Sequence, residues 1–286
     1  MRWLSKTPTT LRRLYGIDKA RAVDFLAEDP VNSVLARTNI DRMGMGASSA
    51  IGLFDSRVNQ ITALAWDSGN LIPLGFDDEG LDLLADSVLG RGRICSSLVG
   101  PADQVLGLWD RVEFDWGPAR EVRARQYSMT IDTPPLVAED PEVRPALPEE
   151  LPLVLPASIA MFTEEVGYDP MAFGNSYMYR ASGLIRAGMT YIKLAPTGDG
   201  AGQRVVFKAD VGALAGGVAQ IQGVWVAPDM RGRGLATAGM AAVVRQVRAT
   251  FSPLVSLYVN DYNDAAVRVY QRVGFKIVGE WATVLM

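Results

Sequence analysis

The sequence of 286 residues contains no histidine and a single cysteine, Cys95. The absence of histidine excludes Ser-His-Asp and Cys-His nucleophile pairs, metal sites built on histidine, and acid-base catalysis by imidazole. One thiol cannot form an intramolecular disulfide or a cysteine-rich zinc site, so we expect no metal and a reducing, cytoplasmic location. Cys95 lies in the apolar run ICSSLVG, which favours a buried structural thiol over a nucleophile.

Lysine is also scarce: only five of the 28 basic residues are lysine and the others are arginine. This preference for arginine is typical of a GC-rich bacterial genome. The net charge of -4 predicts no general attraction to nucleic acid or anionic membranes, so an anionic ligand would need a local site. No apolar run approaches the ~18 residues that span a bilayer, and the amino terminus lacks the apolar core of a secretion signal. Arg2, Lys6, Arg12 and Arg13 could form a basic patch, which leaves transfer from tRNA as a disfavoured alternative.

The clearest boundary in the chain is a segment rich in proline and acidic residues, IDTPPLVAEDPEVRPALPEELP. Proline at this density is unfavourable for helices and for central strands, so we place a linker at about 131–142. The chain then divides into an amino-terminal domain at 1–132 and a carboxyl-terminal domain at 143–286, each of ordinary domain size.

Both parts mix helical periodicity with short apolar strands, which predicts an α/β (α+β) fold with mixed sheets. In the amino-terminal part the predicted helices are DKARAVDFLAEDP, VNSVLARTNI, DDEGLDLLADSVL and PADQVLGLWDRV, and Asp18 is expected to cap the first. In the carboxyl-terminal part they are EELPLVLPASIAMFTEEVGYDP, NSYMYRASGLIRAG, GRGLATAGMAAVVRQVRAT and NDAAVRVYQRVG. The closing segment FKIVGEWATVLM predicts one strand or a pair of strands.

The stretch VWVAPDMRGRGLATAG predicts an anion-binding site. A strand ends at Val226, a proline turn follows, and a helix begins after two glycines, so its first N–H groups and the positive end of its dipole are available to a phosphate. Gly232 and Gly234 allow close approach to the backbone, and Arg231 and Arg233 add positive charge. The alternative is an ordinary turn with solvated arginines. The similar GRGR at 90–93 precedes a strand, and we interpret it as a loop only.

VWVAPDMRGRGLA, followed after ~25 residues by LYVNDYNDAAVRVYQRVGF, resembles the GNAT superfamily of acyl-CoA-dependent N-acyltransferases. Arg231, Gly234 and Ala236 match the pyrophosphate-loop pattern of that family. Asn263, Tyr270 and Gly274-Phe275 fall where the family has an asparagine, a tyrosine and a Gly-Phe pair. The resemblance covers about 143–286 and implies a GNAT-type mixed sheet there. The full chain resembles two-part bacterial GNAT proteins, and we interpret the amino-terminal domain, whose role is unclear, as a degenerate copy of the same fold.

The resemblance implies acetyl-CoA as the acyl donor, with its pyrophosphate on the loop Gly232–Thr237. It also implies that the strand Val224–Val226 is splayed from the next strand and pairs with the pantetheine arm, with the Val226 N–H facing the developing oxyanion. The residues expected to bind the donor are Val224, Trp225, Val226, Arg231, Gly232, Arg233, Gly234, Leu235, Ala236, Thr237 and Asn263.

Tyr270 is the candidate general acid, because a phenol with a pKa near ~10 is protonated at neutral pH and can protonate the departing thiolate. Asn263 lies seven residues earlier, two helical turns away, and would orient the donor. Packing in the core is the alternative for Tyr270. Helix capping, which Asp264 could share, is the alternative for Asn263.

The sequence does not reveal the general base. Some GNAT members carry a glutamate five residues before the motif asparagine, but in this chain Tyr258 occupies that position. The proton would leave through Glu164, Glu165, Asp210, Asp261 or a chain of water molecules. Glu164 and Glu165 could attract a cationic amine or could simply end a solvated helix. The aromatic residues of the following segment either line an acceptor pocket or fill the core: Tyr168, Phe173, Tyr177 and Tyr179.

These residues predict direct transfer of an acyl group, in the simplest case acetyl, from acyl-CoA to an amine. The acceptor is a small molecule or a protein amine, and no covalent enzyme intermediate, metal, nucleic acid or membrane is involved. The protein could act as a homodimer. A regulatory or scaffolding protein that binds acyl-CoA without turnover is the alternative.

Replacing Gly234 by glutamate should place a carboxylate against the donor phosphates and weaken acetyl-CoA binding about tenfold or more. Titration calorimetry with acetyl-CoA measures this effect. Gly92→Glu, in the second Arg-Gly stretch, is the matched control and should leave the affinity unchanged. An undiminished affinity in Gly234→Glu would refute the loop assignment.

Overall fold

The computed structural model describes residues 9–43, 49–198, 200 and 202–286, which form eight α-helices and twelve β-strands. Arg2 and Lys6 of the predicted basic patch lie outside the described residues. The chain divides into two compact units that are discontinuous in sequence. Unit 1 is Met1–Ser128, Tyr258–Tyr262 and Val278–Met286, and unit 2 is Met129–Leu257 and Asn263–Ile277. The domain boundaries inferred from sequence, 1–132 and 143–286, stay a prediction.

The elements that begin in unit 1 follow the order β-α-α-β-β-β-α-β-α-β. They are β1 (Thr9–Arg13), α1 (Lys19–Glu28), α2 (Pro30–Met43), β2 (Ala50–Asp55), β3 (Gln60–Asp67), β4 (Asn70–Leu74), α3 (Asp78–Gly90), β5 (Ser97–Pro101), α4 (Ala102–Trp116) and β6 (Glu121–Ile131).

The second half of the chain repeats the same order of helices and strands. Its elements are β7 (Arg144–Pro145), α5 (Leu151–Val166), α6 (Ser176–Arg186), β8 (Thr190–Pro196), β9 (Gln203–Ala215), β10 (Val218–Val226), α7 (Leu235–Thr250), β11 (Leu254–Asn260), α8 (Asp264–Val273) and β12 (Lys276–Leu285). None of the helices within the described residues has both the length and the apolar character that crossing a membrane requires.

Strand pairing is also the same in the two halves. β1 to β4 form antiparallel neighbours, and β4 then pairs with β5 in parallel. β7 to β10 form antiparallel neighbours, and β10 then pairs with β11 in parallel. The repeated order supports the interpretation of the amino-terminal part as a copy of the carboxyl-terminal fold. The last strand, β12, joins unit 1, where Trp281–Leu285 pairs antiparallel with β5.

Unit 1 has an apolar core on each face of its sheet, because side chains along a strand alternate between the faces. Ile51 and Leu53 pack with α3 and α4 in one cluster, whereas Ala50 and Phe54 pack with α1 and α2 in the other. The helix α4 has one apolar face, since Val105, Leu108, Trp109 and Val112 are all buried. A mixed sheet packed against helices agrees with the α/β (α+β) fold that the sequence predicted.

Two features of unit 1 make the amino terminus of α3 unsuitable for binding an anion. The side chain of Asp77 caps α3 by accepting a hydrogen bond from the Gly80 N–H at 2.8 Å, and Asp78 and Glu79 add negative charge to the first turn. The side chain of Gln104 makes two hydrogen bonds to the backbone of Phe76. Gln104 Oε1 accepts from the Phe76 N–H, and Gln104 Nε2 donates to the Phe76 carbonyl. The amino terminus of α3 therefore repels anions.

The second Arg-Gly stretch, at 90–93, has a structural role in unit 1. Arg91 forms an ion pair with Asp67, a carboxylate that is almost fully buried. Cys95, which follows, is buried in the core between sheet and helices, and burial raises the pKa of its thiol. Both observations agree with the structural interpretations of these residues.

Several sequence-based predictions are corrected by the fold. Asp18 precedes α1 but does not cap it; its carboxylate is buried, accepts from the Tyr15 N–H at 3.1 Å and binds Arg12. The closing segment is one strand, which is one of the two alternatives that the sequence left open. The strands β1 and β6 carry charged residues at many positions, so the apolar pattern did not reveal them.

Candidate functional site

The parallel strands β10 and β11 of unit 2 pair only at their beginnings. The register joins Val218, Ala219 and Gln220 to Leu254, Val255 and Ser256, whereas β10 continues to Val226. Beyond Gln220, β10 keeps its antiparallel neighbour β9 on the other side. The splayed strand implied by the resemblance is therefore present, and one edge of Ile221–Val226 is available for pairing.

A β-bulge interrupts β10 within this stretch. Gln222 pairs with Asp210 and Trp225 pairs with Lys208, so Gly223 and Val224 together oppose a single residue of β9. Gly223 has a φ of 58°, a left-handed conformation that glycine adopts without steric cost. After the bulge the regular ladder resumes, with the Ala227 N–H donating to the Val206 carbonyl at 3.0 Å. Backbone groups alternate between the edges of a strand, so the Val226 N–H points away from β9.

The loop after β10 leads into the amino terminus of α7 without a side-chain cap. Gly234 occupies the cap position with a φ of 82°, and no side chain accepts a hydrogen bond there. Gly232 also has a positive φ, of 75°, and the segment Arg231–Gly234 is exposed. Since α7 is 16 residues long, its first N–H groups form an open site of positive potential.

Arg231 and Trp225 are held away from this open site by Glu164 at the end of α5. The Arg231 Nε donates to the Val226 carbonyl at 3.0 Å, and its Nη2 donates to Glu164 at 2.6 Å. The Trp225 indole N–H donates to the other oxygen of Glu164 at 3.1 Å. The Arg231 guanidinium therefore binds the strand and α5, while Arg233 remains in the exposed part of the loop.

Tyr270 lies on α8, and its side chain is buried with an exposed fraction of 7%. Its ring packs edge-on against Phe275, with the ring centres 5.9 Å apart. Burial raises the pKa of Tyr270, and the negative charge of Glu165 raises it further. The phenol therefore stays protonated at neutral and moderately alkaline pH.

Asn263 caps α8, because its Oδ1 accepts a hydrogen bond from the Ala266 N–H at 3.1 Å. This is the alternative role that the sequence left open for it. The same side chain has an amide NH₂ group, which can donate to a ligand without disturbing the cap. Tyr258 stacks on Trp281 within unit 1, with ring centres 4.9 Å apart, which gives this position a packing role.

A buried ion pair beneath the bulge was missed by the motif search. Lys208 on β9 is 1% exposed, and its Nζ donates to Asp210 at 2.5 Å and to the Gly223 carbonyl at 3.4 Å. The Thr190 hydroxyl donates to the other oxygen of Asp210 at 2.8 Å. The signal in the sequence was the run VVFKADV, where two opposite charges stand two residues apart and so share one face of a strand.

Two of the aromatic residues of the candidate acceptor region, Tyr168 and Tyr177, pack on a third ring. Phe162, another residue that sequence reasoning missed, makes edge-to-face contacts with Tyr168 at 5.3 Å and Tyr177 at 5.2 Å. The Tyr177 hydroxyl donates to the Ser158 carbonyl at 2.9 Å, and burial together with Asp210 raises its pKa to about 12. Tyr179 is exposed, and the side chain of Phe173 lies outside what the structure describes.

Comparison with known families assigns the two parts of the chain differently. Residues 173–275 match the acetyltransferase (GNAT) family, and residues 51–154 match a domain of unknown function, DUF4081. None of the curated protein sequences matches the chain. The GNAT match includes the splayed strand, the α7 loop and α8, which agrees with the resemblance seen in the motifs.

Several solved structures similar to this chain are GNAT proteins. A GCN5-related N-acetyltransferase from Sphaerobacter thermophilus has a TM-score of 0.62 and 17% identity, covering 96% of this chain and 94% of that one. A tandem GNAT protein from the clavulanic acid biosynthesis pathway has a TM-score of 0.53 and 14% identity, with coverages of 96% and 97%. A GNAT-family acetyltransferase from Colwellia psychrerythraea has a TM-score of 0.54 and 10% identity, with coverages of 97% and 99%. These likenesses establish a GNAT-type, two-part fold over nearly the whole chain.

Lys208→Met should destabilise the protein by about 3 kcal/mol, because it leaves the largely buried Asp210 carboxylate without its ammonium partner. Urea unfolding of the full chain measures this loss. Lys276→Met, at an exposed lysine, is the matched control and should change stability by less than about 0.5 kcal/mol. The double variant Lys208→Met/Asp210→Asn should recover part of the loss. A Lys208→Met protein as stable as the control would show that the pair contributes no stability.

Proposed function

Since residues 173–275 belong to the acetyltransferase (GNAT) family, we propose that this protein transfers an acetyl group from acetyl-CoA directly to an amine. Acyl transfer from CoA is the general activity of that family. The observation that supports acetyl-CoA as the donor is the uncapped amino terminus of α7, which lies directly after the unpaired part of β10. The two features offer adjacent sites for a pyrophosphate and for an amide-bearing arm.

The loop Gly232–Thr237 is proposed to bind the pyrophosphate of the donor. Gly234 places no side chain over the first N–H groups of α7, and Arg233 adds charge from the exposed loop. Leu235 and Ala236 contribute backbone N–H groups of the first helical turn, whereas the Thr237 N–H already donates to the Gly234 carbonyl at 3.1 Å and leaves its hydroxyl as the group that can reach the phosphates. The corresponding helix of unit 1 differs at this point, because the side chain of Asp77 caps the amino terminus of α3 and leaves no open site there.

The unpaired edge of β10 is proposed to bind the pantetheine arm, with Val224 and Val226 as the backbone partners. The Val226 carbonyl already accepts from Arg231, so its N–H is the group left to face the thioester oxygen, where negative charge develops. Arg231 thus acts on the donor through the strand, and Glu164 holds Arg231 and Trp225 in place. Glu164 becomes a positioning residue rather than a base.

Tyr270 is proposed as the general acid, and Asn263 as a donor to the same end of the ligand. In the transfer, the amine nitrogen bonds to the thioester carbonyl carbon and the C–S bond breaks. The nitrogen loses one proton to Glu165 as it becomes an amide, and the sulfur gains one from Tyr270, which regains its proton from Glu165 through solvent. Glu165 is the proposed carboxylate on the acceptor side, supported by the effect of its charge on the pKa of Tyr270.

Tyr270→Phe should lower turnover about 100-fold, because it removes the proton donor, while acetyl-CoA affinity stays within about twofold. Release of free thiol with a panel of amines measures turnover, and calorimetry measures affinity. Tyr191→Phe is the matched control: Tyr191 is a buried tyrosine of the same unit, whose pKa burial raises to about 12.

Unchanged turnover in Tyr270→Phe would remove Tyr270 from the mechanism. If the unaltered protein bound acetyl-CoA but released no thiol with any amine, it would be a regulatory or scaffolding binder instead of an enzyme.

A further inference from the structure

A small cavity, partly open to solvent and lined by both polar and apolar groups, lies on the β9 side of the bulge in unit 2. Its walls come from α5, α6, β8 and β9, and its lining residues are Ser158, Tyr177, Arg180, Ala181, Leu184, Thr190 and Asp210. Donor binding uses none of these residues in the function proposed above. The cavity is therefore a separate feature of the same half of the chain.

Two charged groups of the cavity lie beside β10 where the bulge begins. Asp210 Oδ2 lies 3.2 Å from the point that a Cβ on Gly223 would occupy. The Arg180 Nη2 donates to Gln222 Oε1, in the residue before Gly223, at 3.4 Å. A molecule in this cavity would thus lie beside the stretch of strand that is proposed to hold the thioester.

The Asp210 carboxylate is oriented but not saturated by its protein partners. It accepts one hydrogen bond from the Thr190 hydroxyl and one from Lys208, whereas a carboxylate has about four acceptor positions. The ammonium of Lys208 balances its charge. An amine entering the cavity can therefore donate to Asp210 at its inner end.

Arg180 sets the sign of the charge at the outer end. It is exposed, and its contact at the cavity is with a neutral amide. Because Lys208 balances Asp210, the guanidinium leaves an excess of one positive charge around the cavity. A planar guanidinium is the side chain best suited to bind a carboxylate through two parallel hydrogen bonds.

We infer that this cavity is the acceptor subsite and that the acceptor carries both an amine and a carboxylate, as an amino acid does. The inference rests on the proposed function. The amine donates to Asp210 beside the bulge, the carboxylate binds Arg180, and Ala181 and Leu184 contact the carbon skeleton between them. A polyamine or an amino sugar has no carboxylate and would therefore place only a positive or a neutral group next to the Arg180 guanidinium, which would not attract it.

The first test measures thiol release from acetyl-CoA with three groups of amines. These are the α-amino acids, the same amino acids as carboxamides, and two amines without carboxylate, spermidine and glucosamine. The expected result is release with one or more amino acids at a kcat/KM at least about tenfold above the matching carboxamide. Equal or faster release with carboxamides, spermidine or glucosamine would overturn the inference and leave the proposed function intact. Release with no amine would overturn both.

The second test uses Arg180→Gln, with Arg186→Gln on the same helix as the matched control, since Arg186 is not among the cavity residues. Arg180→Gln should raise the KM for the amino acid about tenfold or more and leave the KM for its carboxamide unchanged. Arg180→Lys should restore part of the affinity, and Arg186→Gln should change neither KM. Equal effects of Arg180→Gln on both acceptors would mean that Arg180 serves structure only, which would refute the subsite.

Discussion

The early separation of β10 from β11 is the constraint on which the rest of the site depends. Two parallel strands that stay paired would leave no backbone groups for a ligand, whereas here pairing stops at Gln220 and β10 continues to Val226. The bulge at Gly223 and Val224 lies in that free stretch, and α7 begins shortly after it. One local loss of pairing thus exposes a strand edge next to an uncapped helix end.

Unit 1 contains the same pair of parallel strands with a different outcome. β4 and β5 pair through only two residues each, yet Asp77 caps the helix that follows and Gln104 hydrogen-bonds the backbone of Phe76. The backbone arrangement is shared by both halves, whereas a few polar side chains decide whether it can receive an anion. Only the second half therefore has the open helix end at which the donor site is proposed.

The partners of the charged residues near the site of unit 2 show which of these residues have a structural role. Glu164 holds Arg231 and Trp225, and Lys208 neutralises Asp210 while contacting the bulge. A buried lysine next to a backbone carbonyl stabilises a strand geometry that would otherwise leave that carbonyl unsatisfied. Asp210 still has open acceptor positions, so Glu165, Asp210 and Arg180 are the ionic groups proposed to act on the acceptor.

The sequence by itself determined most helices and strands, the glycine turn before α7 and the spacing from Asn263 to Tyr270, because periodicity and turn residues are local properties of the chain. It could not determine that Arg231 turns back toward Glu164, since 67 residues separate them and only packing brings them together. Nor could it show that Lys208 lies under Gly223, or that the last strand joins β5. These features depend on strand register and on contacts between distant segments, which only the tertiary structure decides.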